Sequence, residues 1–156
     1  MPELTALHWP TINSYKRSVE NTWAPTTATW GRENRTCAIR VLGDDPKSTR
    51  VEYRQAGADV NPYLGMAASL AAGLWGIEHE VEPPPPCAGN AYADRTAAAL
   101  PRSLKDAVAL LKRSERAREL LGDGFVEHFV RTREWEVRQF ERAVTTWELE
   151  RYLEII

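Results

Sequence analysis

The segment Arg50-Val51-Glu52-Tyr53-Arg54 is the feature that most constrains how this chain folds. In a β-strand, successive side chains point to opposite faces, so the three charged residues lie on one face and Val51 and Tyr53 on the other. The segment therefore predicts a strand in a sheet with one charged face. That face has two interpretations: a solvated surface with cross-strand Arg–Glu pairs, or a binding site for phosphate and carboxylate groups.

Two more β-favouring runs, Thr26 to Trp30 and Thr36 to Val41, precede this strand. We expect antiparallel strands within about residues 10–56. Pairing would bring Arg35 or Arg40 close to the charged face. Because these two arginines have opposite parity, a regular strand places only one of them there, and both converge only at a bulge or a strand end.

The pattern changes at Asn61, where Pro62 suits the first position of a helix and apolar residues follow on almost every side through Ile77. We expect a buried helix at about 61–80, a proline-rich loop at about 82–102 and a helical tail at about 103–156. Ser103 and Asp106 resemble a capping box at the start of the tail. The predicted fold class is α+β, with antiparallel strands in the N-terminal third followed by packed helices.

Composition excludes several functions. The formal net charge is −2, and the arginines of the tail alternate with glutamates, which does not favour nucleic-acid binding. The longest apolar stretch, Tyr63 to Ile77, falls short of the roughly 20 residues that a membrane-spanning helix needs. The two cysteines and three histidines form no metal-binding motif, and no secretory signal is recognisable. We expect a cytoplasmic protein with no nucleic-acid and no membrane partner.

Four segments occur in an order that resembles the C-terminal half of the glutamine synthetase catalytic domain. They are Asn13-Ser14-Tyr15-Lys16-Arg17, Asn34-Arg35-Thr36 with Ile39-Arg40, Arg50 to Arg54, and Asn61-Pro62-Tyr63-Leu64. The resemblance implies a partial catalytic domain over residues 1–156, without the family's N-terminal β-grasp domain and upstream strands. Since the family builds its active sites between neighbouring subunits, we expect a homo-oligomer or a missing N-terminal half, and little activity from this chain alone.

The resemblance implies ATP-dependent ligation of glutamate to ammonia or a larger amine through γ-glutamyl phosphate. In that reaction, Arg17, Arg35 and Arg54 would hold the amino-acid substrate. Arg35 would also be the catalytic residue, because its positive charge would face the transferred phosphoryl group. The alternative is a non-catalytic interaction or nucleotide-binding remnant of the family.

The nucleotide and metal contacts follow from the same resemblance. Arg40, Lys47 and Arg50 would contact ATP together with Arg35. Glu52 would be a ligand for Mg²⁺ or Mn²⁺, and its position between two arginines favours the ionised form that such a ligand requires.

Trp23 departs from the pattern of the ammonia-using members, which carry a glutamate two residues before the proline that corresponds to Pro25. An indole cannot deprotonate ammonium, but its face can bind a cation or pack against an alkyl group. The resemblance therefore leans towards the γ-glutamylamide branch, in which larger amines replace ammonia. A packed loop aromatic is the alternative for Trp23, with equal weight.

Overall fold

The computed structural model describes residues 2–155 and contains a small sheet followed by helices. Strands β1 to β3 span Trp30–Arg32, Ile39–Leu42 and Arg50–Tyr53. Helices α1 to α6 span Thr5–His8, Pro62–Glu78, Leu104–Arg113, Glu115–Leu121, Asp123–Arg142 and Thr146–Tyr152. Short 3-10 turns cover Pro2–Leu4, Ile12–Arg17 and Ala91–Ala93. The α+β class is confirmed, and no helix within 2–155 is long and apolar enough to cross a membrane.

The sheet has the order β1-β2-β3 and is mixed. Strands β2 and β3 are antiparallel, as expected, and Arg40 lies opposite Glu52. Strands β1 and β2 are parallel, so the expectation of antiparallel strands is wrong for this pair. Parallel pairing usually needs a long connection. Here β1 advances only about 10 Å, at roughly 3.3 Å per residue, and the segment 33–38 is long enough to return over that distance.

Before the sheet, the chain is more helical than expected. Residues 2–17 form α1 and two 3-10 turns, and Thr11 caps the second turn by accepting a hydrogen bond from the amide of Ser14. Most of the predicted run from Thr26 to Trp30 lies outside the strands. It pairs with a later segment: the amide of Ala28 donates to the carbonyl of Ala98 at 2.8 Å.

The main core lies where α1, α3 and α5 meet. The buried residues of α3 include Leu104 and Leu111, and those of α5 include Val126 and Val130. Trp9 and Leu7 complete this core from the N-terminal side. Full burial of one such side chain contributes about 1.5–3 kcal/mol, so these contacts fix how the N-terminal segment packs on the tail. The tail is divided at Ser114, whose hydroxyl accepts a hydrogen bond from the amide of Ala117 and starts α4.

Helix α2 begins as predicted, because the side chain of Asn61 accepts hydrogen bonds from the amides of Tyr63 and Leu64. The expectation that this helix is buried is wrong. Its buried residues are Gly65 and Ala68. A helix that is apolar on all sides needs partners on all sides, whereas within the described residues α2 packs mainly on α1 and α4.

The C-terminal end of the tail also keeps apolar residues in solvent. Trp135, Trp147 and Tyr152 are exposed, which excludes core packing as the explanation for their presence. Helix α5 ends at Arg142, and α6 starts only at Thr146. Exposure begins before this break, since Phe140 on α5 is already 47% exposed.

His8 provides a test of this packing. Its ring is 1% exposed and lies 4.5 Å from the ring of Tyr53, measured between ring centroids. Burial lowers the pKa of His8 from 6.5 to about 4. The unfolded chain therefore binds a proton between these pH values when the folded chain does not, so we expect stability to fall as the pH decreases from 6.5 towards 4.

The full effect amounts to roughly 3 kcal/mol. Denaturant unfolding at pH 7 and pH 5 should show part of this loss, and His8→Gln should reduce the difference between the two pH values. His128 is exposed on α5, so His128→Gln serves as the matched control and should leave the difference unchanged. An unaltered pH dependence in His8→Gln would contradict the assignment.

Candidate functional site

The charged face of the sheet is organised around Glu52. One carboxylate oxygen of Glu52 accepts a hydrogen bond from Arg54, and the other lies 3.5 Å from a guanidinium nitrogen of Arg40. The hydrogen bond from Arg54 holds the pKa of Glu52 below its usual range, and the charges of Arg54, Arg40 and Arg35 act in the same direction against the effect of burial. Glu52 is therefore ionised at neutral pH and draws arginines together.

Arg35 reaches the same face although its parity differs from that of Arg40. It lies in the connection before β2, which begins at Ile39, so strand alternation does not determine its direction. The structure thereby brings both arginines close to Glu52. The backbone of Arg35 is fixed, because its carbonyl accepts a hydrogen bond of 3.2 Å from Arg54. Within 2–155, its guanidinium forms no hydrogen bond or ion pair, which leaves all its donors available to an anion.

Arg54 directly follows β3, and Arg17, the last residue of the second 3-10 turn, contacts the same part of the chain. Arg54 also donates a hydrogen bond of 2.9 Å to the carbonyl of Trp23, so it connects β3 with the loop before β1. Arg17 donates to the carbonyls of Gln55 and Ala56 at 3.4 and 3.3 Å. Both distances are long for N–H···O hydrogen bonds, so these contacts are weak. Arg17 therefore lies beside the charged face, with its guanidinium directed at backbone carbonyls.

Lys47 and Arg50 lie on the exposed rim. Lys47 belongs to a turn that the side chain of Asp45 organises by accepting hydrogen bonds from the amides of Lys47 and Ser48. Arg50 donates a hydrogen bond of 3.3 Å to the carbonyl of Ser48. Neither side chain has an acidic partner among the described residues, so both cations face solvent and can meet a mobile anion.

A pocket of about 470 Å³ adjoins this face. Three of the predicted site residues, Trp23, Arg35 and Arg40, line it. The other predicted residues surround the face without lining this pocket: Arg17, Lys47, Arg50, Glu52 and Arg54. The predicted set is thus divided between a pocket and the sheet surface next to it.

The pocket also contains residues that the sequence did not single out for a role. Glu33 accepts a hydrogen bond of 2.5 Å from Arg40 and so fixes that guanidinium from the side opposite Glu52. Asn34 donates to the carbonyls of Cys87 and Gly89 and holds the proline-rich loop against the pocket. Asn34 belongs to the segment Asn34-Arg35-Thr36, and this position in a family segment could have indicated a structural role. No feature of the sequence indicated a role for Glu33.

Gln55 is a second residue that the sequence reasoning missed. It is fully buried; its side chain donates a hydrogen bond of 2.7 Å to Thr5 and accepts one from Tyr53, and its carbonyl accepts one from the indole of Trp9. These bonds attach α1 to the residue next to Arg54. The sequence does contain a signal for this role. Strand alternation places Gln55 on the same face as Val51 and Tyr53, where an apolar residue would be expected.

The described residues do not form a divalent-metal site by themselves. Within 2–155, no group of three or more His, Cys, Asp or Glu side chains is positioned to hold a metal ion. Both oxygens of Glu52 face arginines. Glu52 can supply one carboxylate ligand, whereas Mg²⁺ demands near-octahedral oxygen coordination.

Fold and site together define an α+β unit with an arginine-rich sheet face suited to phosphate and carboxylate groups. This chain belongs to the glutamine synthetase family, since the family model described as glutamine synthetase, catalytic domain, matches residues 1–152. It is 52% identical over its whole length to a type-1 glutamine synthetase 2 of Dictyostelium discoideum and covers 30% of that protein. It is 44% identical over 99% of its length to a glutamate–isopropylamine ligase of Pseudomonas sp, of which it covers 34%.

A comparison with solved structures also identifies a glutamine synthetase-type fold. The structure titled apo GmaS without ligand superposes on 98% of this chain with a TM-score of 0.82 and 36% identity. The chain covers 35% of that protein. It therefore spans about a third of the length of the relatives that it matches.

Gln55→Leu tests how far the structure around the site depends on the hydrogen bonds that attach Gln55 to Thr5 and Tyr53. Leucine removes both side-chain hydrogen bonds and leaves the hydroxyls of Thr5 and Tyr53 without their partner, which we expect to lower the free energy of unfolding by about 2–4 kcal/mol. Denaturant unfolding measures the loss. Gln139 is exposed on α5, so Gln139→Leu is the matched control and should change stability by less than about 0.5 kcal/mol. Equal effects of the two substitutions would exclude the anchoring role of Gln55.

Proposed function

We propose that this chain supplies the arginines that bind ATP and glutamate in a ligase that joins glutamate to an amine through γ-glutamyl phosphate. The observation that carries the proposal is the convergence of Arg35, Arg40 and Arg54 around the ionised carboxylate of Glu52. The names of the relatives support it, since they include a glutamate–isopropylamine ligase and a γ-glutamylethanolamide synthetase of Streptomyces coelicolor.

The proposed reaction has two steps. An oxygen of the γ-carboxylate of glutamate attacks the γ-phosphorus of ATP, and ADP leaves. The amine nitrogen then attacks the acyl carbon, phosphate leaves, and the nitrogen loses a proton to give the amide. In the first step, charge spreads over the transferred phosphoryl oxygens, and the unpaired guanidinium of Arg35 is the described group best placed to stabilise it.

The other cations proposed to bind ATP differ in how many contacts hold them in place. Arg40 is fixed between Glu33 and Glu52, so it offers preset donors to the phosphates of ATP. Lys47 and Arg50 on the exposed rim add positive charge for the nucleotide. Glu52 would serve as one metal ligand, with the other oxygen ligands coming from ATP and from outside the described residues.

Arg17 and Arg54 would hold the glutamate substrate. The contacts of Arg17 with backbone carbonyls are long, at 3.3 to 3.5 Å, so a substrate carboxylate can replace them with shorter, charge-assisted bonds. Arg54 is held by Glu52 and by the carbonyls of Arg35 and Trp23. It would therefore place the substrate relative to the pocket.

Trp23 would contact the amine. Its side chain is 61% exposed and lines the pocket beside Arg35, which does not fit a packed loop aromatic. Its backbone has a φ of +61°, a conformation that is uncommon for a residue other than glycine. An exposed indole at the pocket can bind an alkylammonium ion over its face. The relatives named for isopropylamine, ethanolamide and putrescine support a larger amine than ammonia.

A complete active site would need residues from outside the described part of the chain. The chain spans about a third of its relatives' length, and its carboxylates do not form a metal site. We therefore propose that the missing contributions come from a further copy in a homo-oligomer or from the region that corresponds to the other two-thirds of the relatives. The proposed location is the cytoplasm, where ATP and glutamate are available.

The incomplete metal site favours a second candidate function, binding of a nucleotide without catalysis. A polyphosphate needs only the cations of the charged face, which the described residues supply. The two candidates differ in the effect of glutamate. A ligase site binds ATP and glutamate side by side, so glutamate should change the affinity for ATP, whereas a nucleotide-binding remnant should be insensitive to it.

Calorimetric titration with ATP tests both candidates on this chain. We expect Arg35→Ala to weaken ATP binding at least about tenfold, because a hydrogen bond to a charged group contributes about 1.5–3 kcal/mol. Arg138 is exposed on α5, so Arg138→Ala is the matched control and should bind as the unsubstituted chain does. Absence of ATP binding, or equal loss in both variants, would refute the proposed site.

Saturation-transfer NMR with isopropylammonium tests the role of Trp23. We expect transfer to the ligand in the unsubstituted chain and its loss in Trp23→Ala, because the indole face supplies the cation contact. Trp147 is equally exposed at 61% and lies far along the chain on α6, so Trp147→Ala is the control that should retain the signal. Retention in Trp23→Ala would remove Trp23 from the amine site.

A further inference from the structure

The two cysteines of the chain lie side by side, although they are far apart in the sequence. Cys37 belongs to the connection between β1 and β2, and Cys87 belongs to the proline-rich loop. The side chain of Cys87 is a hydrogen-bonding partner of the Cys37 thiol. Both are free thiols, so the fold brings a reduced pair together from two separate segments.

The backbone holds Cys87 in this position. Its amide donates a hydrogen bond of 2.8 Å to the carbonyl of Trp30, and its carbonyl accepts one of 3.1 Å from the side chain of Asn34. Gly31 permits this close approach, because a Cβ atom there would lie 2.6 Å from the carbonyl oxygen of Cys87 and 3.2 Å from the sulfur of Cys37. The two cysteines therefore flank the same glycine of β1, and the loop is fixed to the strand beside the second thiol.

The two thiols differ in their access to solvent. Cys37 is fully buried, whereas Cys87 is partly exposed. Burial raises the pKa of the Cys37 thiol to about 11, and the neighbouring Cys87 acts in the same direction, so Cys37 stays protonated. An oxidant in solution therefore reaches Cys87 first, and Cys37 is the protected thiol that can react with the product.

We propose that Cys37 and Cys87 form a reversible disulfide when the chain meets hydrogen peroxide. The sulfur of Cys87 attacks one peroxide oxygen, the O–O bond breaks, and Cys87 becomes a sulfenic acid while its proton leaves with the other oxygen as water. The sulfur of Cys37 then attacks the sulfur of Cys87, and the departing hydroxide takes the proton of Cys37 as a second water. The thiols are oxidised and the peroxide is reduced, and a dithiol restores both thiols by exchange.

The bond would cross one end of the pocket beside the charged face. Cys37 follows Arg35 closely in the chain, and Cys87 directly precedes Ala88 and Gly89, which line the pocket together with Arg35. A disulfide would tie these two walls to each other, so the loop could no longer move away from Arg35. The proposal concerns this covalent link and does not depend on the proposed reaction.

Peptide mapping of the peroxide-treated chain tests the link. The folded chain is oxidised at low protein concentration, the remaining thiols are alkylated, and the product is digested with trypsin. We expect a peptide of residues 36–40 joined to one of residues 55–95, because cleavage after Arg35, Arg40, Arg54 and Arg95 releases these two segments. The intact oxidised chain should have lost two hydrogen atoms, and dithiothreitol should restore the original mass and both thiols.

Two substitutions separate the roles of the thiols. Cys37→Ala should leave Cys87 as a sulfenic acid that dimedone captures, whereas Cys87→Ser should leave the buried Cys37 unmodified while the chain is folded. Oxidation should also raise the urea midpoint of the unsubstituted chain, because the link restricts the unfolded chain. Cys87→Ser is the matched control for this measurement, and the same treatment should leave its midpoint unchanged.

Absence of the linked peptide from the folded, oxidised chain would overturn the proposal. A disulfide between two chains, visible as a dimer on a non-reducing gel, would also overturn it, since the structure pairs the thiols within one chain. A linked peptide that forms only after the chain is unfolded in urea would have the same consequence, because the fold would then not be what brings the thiols together.

Discussion

The alternation of side chains along β3 is the constraint on which the rest of the structure depends. Glu52 and Arg54 point to the charged face, and Val51 and Tyr53 point to the opposite, apolar face of the sheet. A shift of one residue in strand register would exchange the two faces. Gln55 opposes such a shift, because it continues the apolar parity into the core and its hydrogen bonds would be lost. One buried amide at the strand end thereby preserves the register that positions both surfaces.

Glu52 has an electrostatic role that precedes any ligand. Arg35, Arg40 and Arg54 would repel one another on a bare sheet face, and the carboxylate between them reduces that repulsion. Partly exposed ion pairs of this kind contribute little to stability. Their effect is geometric, since Arg40 and Arg54 are held while the guanidinium of Arg35 has no partner among residues 2–155. A face on which the cations outnumber the two carboxylates of Glu33 and Glu52 retains positive charge for a phosphate, and this asymmetry distinguishes it from a solvated surface of matched pairs.

The sequence predicted features that depend on local chemistry and missed those that depend on distant partners. The strand at Arg50 and the helix start at Asn61 were predicted because alternation and capping are local rules. The parallel pairing of β1 was missed, because strand direction depends on the path of the connection. The exposure of α2 was missed for a related reason: a pattern shows which residues are apolar but not what covers them. In the site, residue types were predicted, whereas the convergence of Arg35 depended on β2 beginning only at Ile39.

The two faces of the sheet are mechanically linked because the strands are only three or four residues long. A sheet of this size is marginal without cover on its apolar face. Arg40 and Glu52 stand on the same strands as Ile39 and Val51, so a displacement of the apolar face would displace the charged face too. Catalytic groups must be held to within a fraction of an ångström to act. Cover over the apolar face would therefore do more than hide apolar surface: by fixing β2 and β3, it would fix the arginines on the opposite side.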